Sequence, residues 1–247
     1  AAASDAAVLL RGENGTGKGV LARALHAQSR RAGHPFVMVN CPTLSEELLA
    51  SELFGHARGA FTGAVRDQPG RVEVAQGGTL FLDEVGEIAP GLQTKLLRFL
   101  QDKEFERVGE NKTRHADVRV VTATNCNLEQ AVSAGRFRQD LLYRLNVIEL
   151  HIPPLRERPE DILPLAGRFL RFFARAAHRP PMELSKECEP ILLSYPWPGN
   201  IRELRNAMER ATILWPAQTI EPQALPERIA AHCAPGLRLG GDCTVEE

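Results

Sequence analysis

The hydrophobic positions of this chain change rhythm about two-thirds of the way along. Up to about residue 150, short apolar runs at 7–10, 36–39, 79–82, 118–124 and 147–150 alternate with stretches whose apolar residues recur at helical spacing. Strands separated in this way by helices belong to a parallel sheet with helices on both faces. The segment 151–161, HIPPLRERPED, breaks the pattern, because consecutive prolines continue neither a helix nor a strand. It reads as a linker. Beyond it the pattern predicts helices only, over about 159–176, 185–193 and 200–214, with Pro198-Gly199-Asn200 as a helix start. After Ile229 the chain becomes Gly-rich and weakly patterned, as a connector would. The expected organisation is an α/β subdomain over 1–152, a small helical subdomain over 153–228 and a flexible connector over 229–247, with no internal repeat.

Composition narrows the partners. A chain of 247 residues with 43% hydrophobic residues can bury one sizeable core, or a core and a small satellite. Lys plus Arg number 30 against 31 Asp plus Glu, so there is no bulk positive field with which to grip nucleic acid non-specifically. The five cysteines, Cys41, Cys126, Cys188, Cys233 and Cys243, are scattered without a CxxC pair or a histidine at ligand spacing. That pattern suits free thiols in a reducing cytoplasm rather than a zinc site or a disulfide framework. No apolar run approaches the roughly 18 residues of a membrane span, and the first ten residues lack the basic start of a signal peptide. A cytoplasmic location without membrane contact is expected.

The candidate chemistry begins at Gly12-Glu13-Asn14-Gly15-Thr16-Gly17-Lys18, between a strand pattern and a helix carrying Leu21, Leu25 and His26. In a strand, glycine loop and helix arrangement, backbone N–H groups and the helix N-terminus cradle phosphates while the lysine neutralises them. The alternative is a Gly-rich turn before a helix. The next residue, Gly19, lacks the hydroxyl that commonly reaches Mg²⁺ at this position. A second element, Gly77-Gly78-Thr79-Leu80-Phe81-Leu82-Asp83-Glu84, delivers two carboxylates at the carboxyl end of a strand, where open α/β sheets bind ligands. Asp83 would help hold Mg²⁺ and Glu84 would polarise the attacking water. Alone, the pair would be two solvated acids opening a loop. Asn125 ends a further strand and could reach a γ-phosphate or simply form a turn. Arg138 and Arg144 in FRQDLLYRLN, and Arg202 in WPGNIREL, each have a second reading as surface helix arginines.

Taken together, these residues resemble the sigma-54-dependent, NtrC-type activator branch of the AAA+ proteins over about residues 7–228. The decisive signal is the hexapeptide Gly59-Ala60-Phe61-Thr62-Gly63-Ala64, preceded by ELFGH at 52–56. RGAFTGA, QDKEFERVG and a phosphate loop ending in KG are most similar to the AlgB-like response regulators. The resemblance implies an AAA+ parallel sheet with a small C-terminal helical lid. It also implies a homo-hexameric ring hydrolysing ATP with Mg²⁺ between subunits, and loops pressed against the sigma-54 subunit of RNA polymerase to open promoter complexes. It makes Lys18 the phosphate-loop lysine, Asp83 and Glu84 the metal and water carboxylates, and Asn125 the first sensor. Asn40, in the VNC at 39–41, becomes the asparagine that switches the glutamate. Arg138 and Arg144 serve a neighbour's ATP, and Arg202 is the second sensor.

Gly19 and Asn14 depart from the common GESGTGKE, and the chain begins almost at the first strand. Neither a receiver domain nor a helix-turn-helix lies within it, so an excised central domain is expected, touching DNA only through a domain absent from this chain. A different class of function, a nucleotide-dependent switch or scaffold with little turnover, is motivated by Gly19 and the short start. A ring helicase or protein unfoldase would share the fold but is disfavoured by the charge and the hexapeptide.

Overall fold

The computed structural model describes residues 1–43 and 45–232. They fall into two compact units, one of residues 1–13 and 17–152, the other of residues 14–16 together with those from 153 on. In the first unit β1 (Val8–Arg11), β2 (Phe36–Asn40), β3 (Thr79–Asp83), β4 (Arg119–Thr124) and β5 (Ile148–His151) form one sheet in the order β2-β3-β4-β1-β5. Every pairing is parallel. A parallel sheet must be covered on both faces, and alternate residues of each strand show how. Leu9, Val37, Val39, Leu80, Leu82 and Val120 pack with α2 (Glu46–Phe54) and α3 (Pro90–Asp102). Val8, Leu10, Phe81, Val121 and Ala123 face the opposite way, onto Ala22 and Leu25 of α1 (Lys18–Ala27). β4 is buried along its whole length. The chain therefore crosses repeatedly through helices, and every strand points its carboxyl end to the same edge.

The second unit is built on α5 (Ile162–Ala176), α6 (Cys188–Ser194) and α7 (Asn200–Leu214), where α4 (Gln139–Leu145) has closed the helical series of the first unit. Ile162, Ala166 and Leu170 recur every four residues and meet Leu204, Ala207, Met208 and Ala211 from α7. Trp197, fully buried, fills the space between them and donates its indole N–H to Leu192 O at 2.8 Å. Two sequence expectations are corrected here. The unit is not purely helical, since Glu183–Leu184 pairs in parallel with Thr219–Ile220, strands of two residues that are too short to leave a period in the sequence. The connector does not begin at Ile229, because that residue is fully buried in the helix Glu227–Ala230, and one apolar residue in a single turn carries no readable pattern. Cys233, Cys243 and the rest of the connector lie outside the described residues. Among the described residues no helix is long and apolar enough to cross a membrane.

Candidate nucleotide site and hexapeptide loop

The carboxyl edge of the sheet collects the phosphate loop and the acidic strand end. β1 leads into the loop, whose Gly12 N–H is held by Thr124 O at the end of the neighbouring β4. Gly15 and Gly17 take φ of 80° and 102°, a region open to glycine and costly for residues with a Cβ. Gly17 caps α1 and Lys18 is the first helical residue, so the free N–H groups of that helix face the loop. Lys18 is only 6% exposed, and its ammonium donates to Gly12 O at 2.9 Å and lies 3.1 Å from Glu84 Oε1. Glu84 sits just past β3 with a left-handed backbone, φ 55° and ψ 51°. A non-glycine residue held there costs on the order of 1–3 kcal/mol and persists where surrounding contacts over-determine it. Those contacts are visible. Its N–H reaches Asp83 Oδ1 at 3.2 Å and its second carboxylate oxygen accepts Asn125 N–H at 3.0 Å. Lys18, Asp83, Glu84 and Asn125 are thus one cluster. The register sets Asn40 directly opposite Asp83, one residue from the glutamate.

Two thiols border the cluster. Burial, with the carboxylates of Asp83 and Glu84 adding to it, pushes the Cys41 thiol up to about 12, so it stays protonated and unreactive. Cys126 donates to Glu87 Oε1 and to Asn125 Oδ1, at 3.3 and 3.2 Å, and it too is raised by burial and by its bond to Glu87. Cys41, Cys126 and Cys188 are free cysteines. Gly19 has room for a side chain, since a Cβ there would meet only a Phe81 ring carbon at 3.8 Å. The missing hydroxyl is therefore not imposed by packing.

Arg138 and Arg144 make their contacts with other groups. Arg138, half exposed, pairs with Asp140 at 2.7 Å beside Gln139 and Tyr143, and Arg144 reaches the carbonyls of Leu100 and Gln101 at the end of α3. Arg202 belongs to the second unit, on the first turn of α7, with its Cβ beside Gly15. The sequence reading missed Asn200 and Arg158, which also touch the loop tip. The signal that could have found Asn200 is its place immediately before Ile201 and Arg202.

The hexapeptide is a different object. Gly59 N–H closes on Ala64 O at 2.8 Å and Ala64 N–H on Phe61 O at 3.0 Å, with φ of 81° at Gly59 and 102° at Gly63. Thr62 and Gly63 are exposed, whereas Phe61 is half-buried with its ring edge-on to His56, centroids 4.9 Å apart. The base of the loop is fastened by Ala57 N–H to Val108 O and Val108 N–H to Gly55 O, both 2.9 Å.

Comparison with known proteins gives the family. The family described as Sigma-54 interaction domain matches residues 1–151, and the AAA+ ATPase lid domain matches residues 156–236. The chain belongs to the sigma-54 interaction domain family. The match to the lid model adds that it is an AAA+ protein. It is 60% identical over 220 residues to the alginate biosynthesis transcriptional regulatory protein AlgB of Pseudomonas syringae pv. tomato, covering 89% of this chain and 49% of AlgB. It is 50% identical over 234 residues to the transcriptional regulatory protein ZraR of Escherichia coli K12, covering 95% and 53%. The chain spans about half the length of these curated relatives. Among solved structures, NtrX from Brucella abortus in complex with ATP superposes with a TM-score of 0.87 at 37% identity, over 97% of this chain and 53% of NtrX.

Proposed function

We propose that this chain is the ATP-hydrolysing motor of a sigma-54-dependent activator, binding ATP on the phosphate loop and passing the change to the hexapeptide loop. The observation that carries the reading is the cluster at the carboxyl edge of the sheet, where Lys18 lies 3.1 Å from a conformationally strained Glu84. Lys18 neutralises phosphate charge, Glu84 takes a proton from the attacking water, and Asn125 holds the glutamate from the side. Asn40, opposite Asp83 in the sheet, redirects Glu84 when the γ-phosphate leaves. Lys18 and Glu84 neutralise each other across 3.1 Å, and a phosphate competes for the lysine and frees the carboxylate for water. The loop residues Gly12, Glu13, Asn14, Gly15, Thr16 and Gly17 supply the cradle, Arg202 acts as second sensor, and Arg138 and Arg144 act on the ATP of a neighbouring copy in a homo-hexameric ring.

The donor set fits Mg²⁺. This ion is usually bound through one or two carboxylates plus substrate phosphates rather than a dedicated protein cage. Asp83 offers such a carboxylate, and among the described residues no group of three or more His, Cys, Asp or Glu could form a cage. Bound there with the nucleotide, the ion would neutralise developing phosphate charge.

Gly59, Ala60, Phe61, Thr62, Gly63 and Ala64 carry no acid, base or metal ligand, which suits contact with sigma-54 rather than catalysis. The test is phosphate release at raised protein concentration, with capture of sigma-54 in ATP, ADP and ADP plus aluminium fluoride. Turnover, and capture that depends on the nucleotide state, are expected. Capture without measurable turnover would turn the reading to a nucleotide-dependent switch, and neither would overturn it.

A further inference from the structure

Three successive carbonyls of the phosphate loop are each held by a donor within the second unit. Asn200 Nδ2 donates to Asn14 O at 3.0 Å, Ile201 N–H to Gly15 O at 3.0 Å, and Arg158 Nη2 to Thr16 O at 2.9 Å. Asn200 is fully buried, and its amide oxygen accepts Leu155 N–H at 2.7 Å, so the side chain is fixed at both ends. The corner that presents it is strained. Trp197 and Asn200 both have positive φ, 48° and 51°, which is tolerable for Asn and an outlier for a bulky Trp. The fit is close as well, since a Cβ on Gly15 would fall 2.4 Å from Gly199 O and 3.0 Å from Arg202 Cβ.

In a trans peptide the carbonyl and the following N–H point in opposite directions. Holding the carbonyls of residues 14, 15 and 16 therefore turns the N–H groups of Gly15, Thr16 and Gly17 the other way. Those are the groups that a phosphate loop offers to an anion. A donor on a carbonyl also polarises its peptide and strengthens the N–H on the far side. Arg158 does this with a guanidinium that also pairs with Asp161 at 3.6 Å, Asn200 with a neutral amide. We propose that Asn200 and Arg158 are positioning residues for nucleotide phosphates, which hold the loop peptides in the phosphate-receiving orientation and set affinity rather than the rate of γ-phosphate cleavage. This rests on the reading of the loop as a nucleotide site, and it assigns these two residues a role separate from that of Arg202.

The test uses the whole chain and ADP carrying a fluorescent ribose label. Asn200→Asp keeps the acceptor for Leu155 N–H but sets a carboxylate oxygen against Asn14 O. Arg158→Gln removes the cation and Arg158→Lys retains one. The dissociation constant for labelled ADP is expected to rise about tenfold in Asn200→Asp and Arg158→Gln, with Arg158→Lys in between. In ATP turnover the loss should fall on KM rather than on kcat. Thermal melting fixes a temperature at which each variant is folded, and if Asn200→Asp does not fold, the two Arg158 variants decide. Unchanged affinity in folded variants, or a loss confined to kcat, overturns the proposal while leaving the nucleotide site intact. Failure of the parent chain to bind labelled ADP removes the site itself.

Discussion

The phosphate loop and the hexapeptide loop use the same residue for opposite purposes. Both turn on glycines at similar backbone angles, Gly15 and Gly17 in one and Gly59 and Gly63 in the other. A side chain on Gly15 would collide with backbone, whereas a Cβ on Gly59 or Gly63 would meet nothing within 4 Å. One loop is a fitted socket, and its lysine and glutamate already have partners. The other is a turn whose two glycines face open space and whose aromatic residue rests against His56. A ligand of fixed shape and charge is bound best by a preorganised site, because ordering the groups at the moment of binding costs affinity. A surface that must exchange partners needs the reverse, an apolar group whose own-domain contact is weak enough to give up.

If chemistry belongs to the socket and contact to the turn, variants in the two regions should separate cleanly. The largest effect is expected from residues in neither loop. Arg138→Ala should retain nucleotide binding and lose about 10³ to 10⁵ in turnover, the range of an arginine supplied to a neighbour's phosphate. Mixing it with Lys18→Ala chains should restore part of that rate, read by phosphate release against mixing ratio. A variant as active as its parent would place catalysis within one chain. Next, Glu84→Gln should keep nucleotide binding and lose about 10² to 10⁴ in turnover, whereas Lys18→Ala should lose binding itself. Equal loss of binding in both would dissolve the division of roles inside the socket.

Phe61→Ala sharpens the comparison from the other side. It should leave phosphate release within a few-fold of the parent and weaken nucleotide-dependent capture of sigma-54 by roughly 2 kcal/mol or more, as for a central aromatic anchor. Capture that survives this change would take the contact role from the loop. The smallest effect concerns the base of the loop, where the Arg107 guanidinium donates to both oxygens of Glu73 at 2.8 and 2.9 Å. That bond holds the Glu73 carboxyl below its ordinary value of 4.5. A depressed carboxyl stabilises the fold above that ordinary value, and the contribution is lost as pH falls through the folded value. Glu73→Gln should therefore cost about 1 kcal/mol near neutrality, and the difference from the parent should shrink below about pH 4.5. A gap between the two melting curves that stays constant down to pH 3 would show that the charge pair does not stabilise this region.

What was legible in the sequence was whatever short-range chemistry determines. Each central strand is an apolar run with nowhere else to go, and the glycines and lysine of the phosphate loop have to be contiguous, because one turn and one helix end make the cradle. The hexapeptide is legible for the same reason. The two-residue strands and the burial of Ile229 were not, since neither leaves a period.

Tertiary structure alone decided which distant residues meet. Nothing local dictates that β3 lies between β2 and β4, yet that order sets Asn40 opposite Asp83 and brings Asn125 N–H to Glu84. It also decided that Phe61 rests on His56, and that Asn200, 186 positions from Asn14, donates to its carbonyl. The physical reason is that sequence spacing governs the hydrogen bonds and side-chain faces within an element. The partners across elements are chosen by burying all the apolar faces at once and finding a donor or acceptor for each polar group enclosed with them.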